Sequence, residues 1–516
     1  MANKPILTDD DRDRISAPLR RLVDEINLPY DKLVDIWNDN LKGEAASLDT
    51  SALQRVLRTK RDKPAGERKY NIVFKLLHFL IDGTPDETKR NDWSNQLAAA
   101  RDDYDSSKRT RSIIGDQDSK AAPFTESSIA ARDQVLDSPR LYEFIQDLYQ
   151  SHPTLQRCGQ RYPVAILDHT PCRFGAPGMP ALHRPTRWSP DPENQEFIIH
   201  DHRYRLERQR LSPVDPKHTY RMTEAKPQDG KTIISFDIGR YDLMIDTCDC
   251  LQDELLSVCA EDARWKQLGT AELLEKLPLR RRLHECVKDP VRDGQGRSTA
   301  MAMSVLTSFR DAQAENNSFV WARRRSGRGV AVNPGAIHVI PSFMFQPEYG
   351  YPDEEFNLLY AIRKEFLEEL FNAKPPPGEV QYTWFDYHPP IVDLDNMLAT
   401  GQAELWYTGL IVNLLNLRPE ICCVLRILDQ EWFTRSSYAG GKVPGTYLAI
   451  NEEFEGHEVV EQQGRPFLPR VKYNRTDTDE TLLVASGMTP GGSVPPGAAA
   501  FWFGMDLIRQ LESTRP

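Results

Sequence analysis

Three glutamates, Glu365, Glu368 and Glu369, lie within about one helical turn of one another in the stretch GYPDEEFNLLYAIRKEFLEELFN at residues 350–372. Carboxylates three and four residues apart share one face of a helix. Held so close they repel, and a divalent cation is a natural way to keep them ionised together. Magnesium bound by a few carboxylates and several waters leaves room for a diphosphate, whose charge it neutralises while it prepares a water to attack phosphorus. The same spacing also describes a solvated acidic face with Lys364 and Lys374 as nearby counter-charges, and spacing alone allows both.

Asp353 is a candidate helix cap with Glu354 and Glu355 in the first turn, and Phe356, Leu359, Tyr360, Phe366, Leu367, Leu370 and Phe371 mark a buried stripe. Upstream, residues 316–350 read as strand, glycine-rich turn, strand and a further strand; downstream, LWYTGLIVNLL and ICCVLRILD read as strands. The ending PPGAAAFWFGMDLIRQLE reads as a strand and a closing helix, preceded by a glycine- and proline-rich loop that either closes over a ligand or simply turns. Arg323, Arg325 and Arg328 are of a type that meets phosphates, and Trp384, Phe385 or Tyr387 could stack a base; a surface hairpin and a packed aromatic loop are the plainer readings.

The glutamate helix resembles the Nudix box, whose pattern is a glycine, five residues, a glutamate, seven residues, then Arg-Glu-apolar-x-Glu-Glu-x-Gly-apolar. Gly350 falls in register, Lys364 takes the arginine place, and Glu365, Phe366, Glu368 and Glu369 match. Phe356 stands at the early glutamate and Phe371 at the late glycine, while Glu355 is one residue out of register. The resemblance implies an α/β/α Nudix-like domain over residues 316–516. It also implies Mg2+ or Mn2+ on Glu365, Glu368 and Glu369, with Glu368 and Glu369 catalytic in a pyrophosphohydrolase, and a nucleotide-derived ligand met by Arg323, Arg325 and Trp384. The lost glutamate and arginine normally brace one another, so their joint replacement predicts a helix held by packing.

At the other end, LPYDKLVDIWNDNL places Tyr30, Leu33, Val34, Trp37 and Leu41 on one helical face. A second helix follows at DTSALQRVLRTKR, with Asp49 or Thr50 as cap, and the third, ERKYNIVFKLLHFLI, is apolar enough to pack over both. Residues 49–75 hold eight Lys or Arg against three acids, a local excess that suits phosphate neutralisation. Ser51, Gln54 and Arg55 are of types that reach base edges, with Arg58, Lys60 and Arg61 beside them. A helical bundle with a solvated basic face is the plainer reading. The segment resembles the N-terminal end of bacterial Xre-like helix-turn-helix regulators, which implies duplex DNA as a partner.

Between the two ends, residues 83–130 turn polar and read as a helix and linker, and residues 131–315 mix helices with strands in an α+β connecting domain. In HDHRYR, His200 and His202 would share one face of a strand and could ligate a metal with Asp168 or His169; a structural strand is the simpler account. No HExxH, GxGxxG or GxxxxGK[ST] occurs. The eight cysteines include no CxxC pair, so reduced, buried thiols are expected rather than zinc ligands.

Composition sets the class. A chain of 516 residues exceeds one ordinary core, and 40% hydrophobic with 27% charged residues marks a globular protein. A formal charge of −11 argues against a surface coated by nucleic acid but permits a small basic domain. No stretch is long and apolar enough for a membrane span or signal peptide, so the expectation is cytoplasmic, with no membrane partner and room for a homodimer. The expected architecture is multidomain: an all-α helix-turn-helix over 1–82, the linker, the α+β middle domain and the Nudix-like C-terminal domain. The expected function is a bacterial DNA-binding regulator or a defence or stress effector that binds a nucleotide-derived ligand; the alternative is a Mg2+-dependent hydrolase of a nucleoside diphosphate linked to another moiety.

Overall fold

In the computed structural model the chain forms two compact units, Met1–Ala122 and Pro123–Pro516. The described residues of the first are 19–23, 26, 33, 73–74, 76–77, 80–81, 86, 88–94 and 96–97. Those of the second are 134–185, 197–202, 217–312, 318–325, 335–376, 380–437, 443, 445–451, 453–454, 460–462, 465–467 and 470–514. In the first unit all but Asp86 are helical, and Leu19, Leu22, Val23, Leu33, Val73, Phe74, Leu76, Leu77 and Ile81 are buried, as expected for amphipathic helices sharing a core.

The second unit mixes helix and sheet. Its strands in chain order are β1 (Thr154–Arg157), β2 (Gln160–Asp168), β3 (Cys172–Arg173), β4 (Ala181–His183), β5 (His218–Gln228), β6 (Lys231–Arg240), β7 (Ala302–Arg310) and β8 (Ser318–Val320). They continue with β9 (Ala322–Arg324), β10 (Ile337–Val339), β11 (Ser342–Met344), β12 (Ala403–Asn413), β13 (Arg418–Ile427), β14 (Val460–Gln462), β15 (Arg465–Phe467) and β16 (Val471–Tyr473). The principal helices are α1 (Pro139–Leu148), α2 (Cys250–Glu261), α3 (Pro278–Cys286), α4 (Leu358–Phe371), α5 (Pro389–Thr400) and α6 (Pro495–Ser513).

One large sheet runs β1-β2-β12-β13-β7-β8-β16, with β3 on β12 and β11 on β7; among the described residues of this sheet β13 and β7 alone pair in parallel. Its central strands are apolar on both faces because both are covered. Along β13, Ile421, Cys423 and Leu425 face a core that includes Phe366, Leu367 and Leu370 of α4 and Ile391 and Leu394 of α5. Cys422 and Val424 face the opposite core, built on Ala498–Phe503 of α6. Gly504 lets α6 approach the sheet: a Cβ there would lie 2.6 Å from Leu306 and 2.8 Å from Val424.

Three expectations change. No domain boundary falls at 315/316, because β2 and β7 of the expected connecting domain are hydrogen-bonded to β12 and β13 of the expected C-terminal one. The segment PPGAAAFWF is not a strand but the first half of α6: Pro495 and Pro496 open the helix, and the three alanines that follow favour it. His200 and His202 lie outside any strand, with His200 Nε2 3.4 Å from Asp246, while Asp168 accepts from Tyr407 and His169 stacks on Phe503.

A smaller sheet, β4-β6-β5, contains the β5–β6 hairpin closed by Asp229 and Gly230, both at positive φ. Tyr220 and Phe236 from this hairpin meet Phe345 and Phe356 in one aromatic cluster, with ring centroids 4.6–6.3 Å apart. The middle segment is thereby joined to the residues leading into α4.

Candidate functional site

Asn357, rather than Asp353, caps α4: its side chain accepts from the amides of Leu359 and Tyr360 at 3.0 and 3.2 Å. Residues Pro352–Glu355 form a separate short turn, and Asp353 pairs with Arg184. Glu355 is buried and folds back, its carboxylate accepting from the amides of Glu348, Tyr349 and Tyr351 at 2.7–3.2 Å. Phe356 fills the aromatic cluster, so apolar packing occupies the place of the box glutamate. Leu359, expected inside, is 38% exposed, while Leu358, Ala361 and Ile362 are buried instead.

The acidic face of α4 is not a solvated surface. Lys364 is buried, and its Nζ lies 2.8 Å from Glu348, 2.9 Å from Glu365 and 3.2 Å from Glu368. Glu369 points elsewhere and accepts from the Ser342 amide at 3.1 Å through both oxygens. Burial works against the charge on Lys364, but the three carboxylates around it hold its ammonium well above the ordinary lysine value. Burial also raises Glu348, yet Lys364 and Gln346 bring it below the usual carboxylate range. Burial dominates at Glu365, pushed up to about 8, and at Glu369, pushed well above its usual value.

Magnesium does not fit this arrangement. The ammonium of Lys364 occupies the point on which Glu348, Glu365 and Glu368 converge, and Glu369 is committed to β11. Among the described residues no group of three or more His, Cys, Asp and Glu side chains is disposed to hold a metal ion.

Glu348 is the partner that sequence reasoning missed. The expected loss of the box brace is corrected in part: Lys364 is braced, by an acid from the preceding loop, two residues before the motif glycine. Motif register searches after Gly350, so it passes over this acid. Also missed is Glu420 on β13, buried and bonded to Ser304 Oγ, with burial pushing its carboxyl up to about 7.

The other expected ligand residues are dispersed. Arg323 is buried in β9, and Arg325 lies 3.4 Å from Glu453. Trp384 is half-buried and donates from Nε1 to Tyr349 OH at 3.0 Å, which places it beside the cluster; Phe385 is fully buried. Ser51, Gln54, Arg55, Arg58, Lys60 and Arg61 lie outside the described residues, as does Arg328. Cys248, Cys250 and Cys259 are buried free thiols.

A cleft of about 400 Å³ opens next to the cluster, lined by Lys217, His218, Ile238, Pro347, Glu348, Gly350 and Pro352. Glu348 belongs to both, facing the cleft and holding Lys364. Comparison of the chain with models of known protein families, and with curated proteins, returns no match to either.

Proposed function

We propose that the larger unit is a Nudix-like module that binds a nucleotide-derived ligand without hydrolysing it, within a DNA-binding regulator or a stress- or defence-response effector. The observation that carries this reading is the Lys364 ammonium set among Glu348, Glu365 and Glu368, where it supplies the positive charge that would otherwise come from a cation. The register of Gly350, Glu365, Glu368 and Glu369 with the Nudix box supports the ligand class, and the adjoining cleft has the size of a small-molecule site. For ligand binding to regulate, the ligand must favour one state of the protein over another by differential affinity.

Calorimetric titration with AMP, ADP-ribose, NAD, dinucleoside polyphosphates and nucleotide sugars tests the binding. Saturable binding of at least one, not strengthened by Mg2+, is expected; no binding across the panel would overturn the reading. The DNA contact is supported by the eight bases against three acids in residues 49–75. Arg55→Ala with Arg58→Ala is expected to weaken duplex binding and to flatten its dependence on salt by about two phosphate contacts. Unchanged affinity and salt slope in a mobility-shift titration would remove DNA from the proposal.

A further inference from the structure

We infer that the cleft beside Glu348 is the ligand site of this module, and that it selects a ribose-bearing ligand with a single anionic phosphate, held by Lys217 and His218. The inference rests on the binding reading above and adds to it a location and a charge.

The cleft has two walls of different origin. Lys217 and His218 lead into β5 and Ile238 lies on β6, while Pro347, Glu348, Gly350 and Pro352 come from the loop before α4. That loop is fixed from behind, since the Glu348, Tyr349 and Tyr351 amides are all taken by Glu355. Of the four N–H groups from Glu348 to Tyr351 only that of Gly350 is left for an anion, and charged recognition falls to the opposite wall.

On that wall Lys217 is exposed and makes no ion pair among the described residues, although its charge acts on both Glu348 and Glu368. An exposed ammonium on a cleft rim is a mobile point donor for phosphate. Beside it the exposed His218 has its imidazole drawn below the ordinary histidine value by partial desolvation and by Arg240, which favours the neutral ring with one N–H to donate. Lys217 is the one cation among the residues that line the cleft, and the acid there, Glu348, is paired with Lys364. One cation matches one anionic group; a triphosphate would bring several uncompensated charges toward Glu348 and Glu368.

Glu348 supplies the second half of the selection. Its carboxylate accepts from Lys364 and from Gln346, which uses two of about four acceptor positions. The remaining positions suit hydroxyl donors such as those of a ribose. Ile238, Pro347 and Pro352 give the apolar surface between the two polar ends.

The test uses the full chain, with AMP, ribose 5-phosphate, adenosine, inorganic phosphate and ATP titrated into wild type, Lys217→Ala and Lys217→Arg. In wild type, AMP or ribose 5-phosphate is expected to bind more tightly than inorganic phosphate, adenosine or ATP. Lys217→Ala is expected to weaken the phosphomonoester by about tenfold or more and to leave adenosine unchanged, and Lys217→Arg is expected to keep most of the affinity. Matching thermal midpoints for the three proteins establish that the effect is local. Equal affinity in Lys217→Ala, or tighter binding of ATP than of AMP, would overturn this inference while the binding reading stands. Failure of every nucleotide to bind wild type would overturn both.

Discussion

Lys364→Met is expected to destabilise the larger unit by about 3–5 kcal/mol at pH 7, the cost of leaving buried carboxylates without their cation. Methionine has a similar length and apolar stem, so the loss is one of charge rather than volume. The pH dependence follows from the shifts. Glu348 sits below its ordinary value when folded, so its contribution is present above that value and disappears as pH falls through the lowered one. Lys364 sits above its ordinary value, so its contribution is present below that value and disappears as pH rises through the raised one. The brace therefore acts across the neutral range. In the variant Glu348 and Glu368 can take up protons in acid, Glu365 being pushed up to about 8 even with Lys364 present, and the deficit is expected to shrink between pH 7 and pH 5. Adding Glu348→Gln should restore part of the loss, giving a non-additive double-mutant cycle in urea denaturation. Additive losses, or a deficit independent of pH, would mean that the four groups do not act as a unit.

Glu355→Gln is expected to cost about 3 kcal/mol. The carboxylate accepts from three backbone amides in a buried setting, and an amide side chain replaces one acceptor oxygen with a donor facing N–H groups. The loop from Glu348 to Tyr351 carries the brace for Lys364 and one wall of the cleft, so ligand affinity is expected to fall with stability. Hydrogen exchange at the Glu348, Tyr349 and Tyr351 amides reads this directly: faster exchange at those three is the expected result, and unchanged protection would show that Glu355 is not what holds the loop.

These two residues mark where the sequence stops being legible. The strands β12 and β13 could be read from unbroken apolar runs, because that signal is local. The acids of α4 could be found by register with a motif. Their surroundings could not. That Lys364 turns inward to Glu348, and Glu369 toward Ser342, depends on where the residue 348 loop and β11 lie in space. Glu355 looked like an ordinary first-turn acid of a longer helix, whereas Asn357 is the stronger cap and splits off the preceding turn. The division at residue 315 failed for a related reason: long-range pairing of β7 with β13 has no signature in either strand. The start of α6 was ambiguous because a helix apolar on nearly every side carries no helical period.

We propose that Glu348, Glu365 and Glu368 hold a lysine where a hydrolase would hold a metal. Mass-spectrometric product analysis of ADP-ribose incubated with Mg2+ and an equal concentration of wild-type protein tests it most directly, with Glu368→Gln as the control. Intact ADP-ribose is expected in both samples. AMP and ribose 5-phosphate formed by the wild type and absent from Glu368→Gln would contradict it.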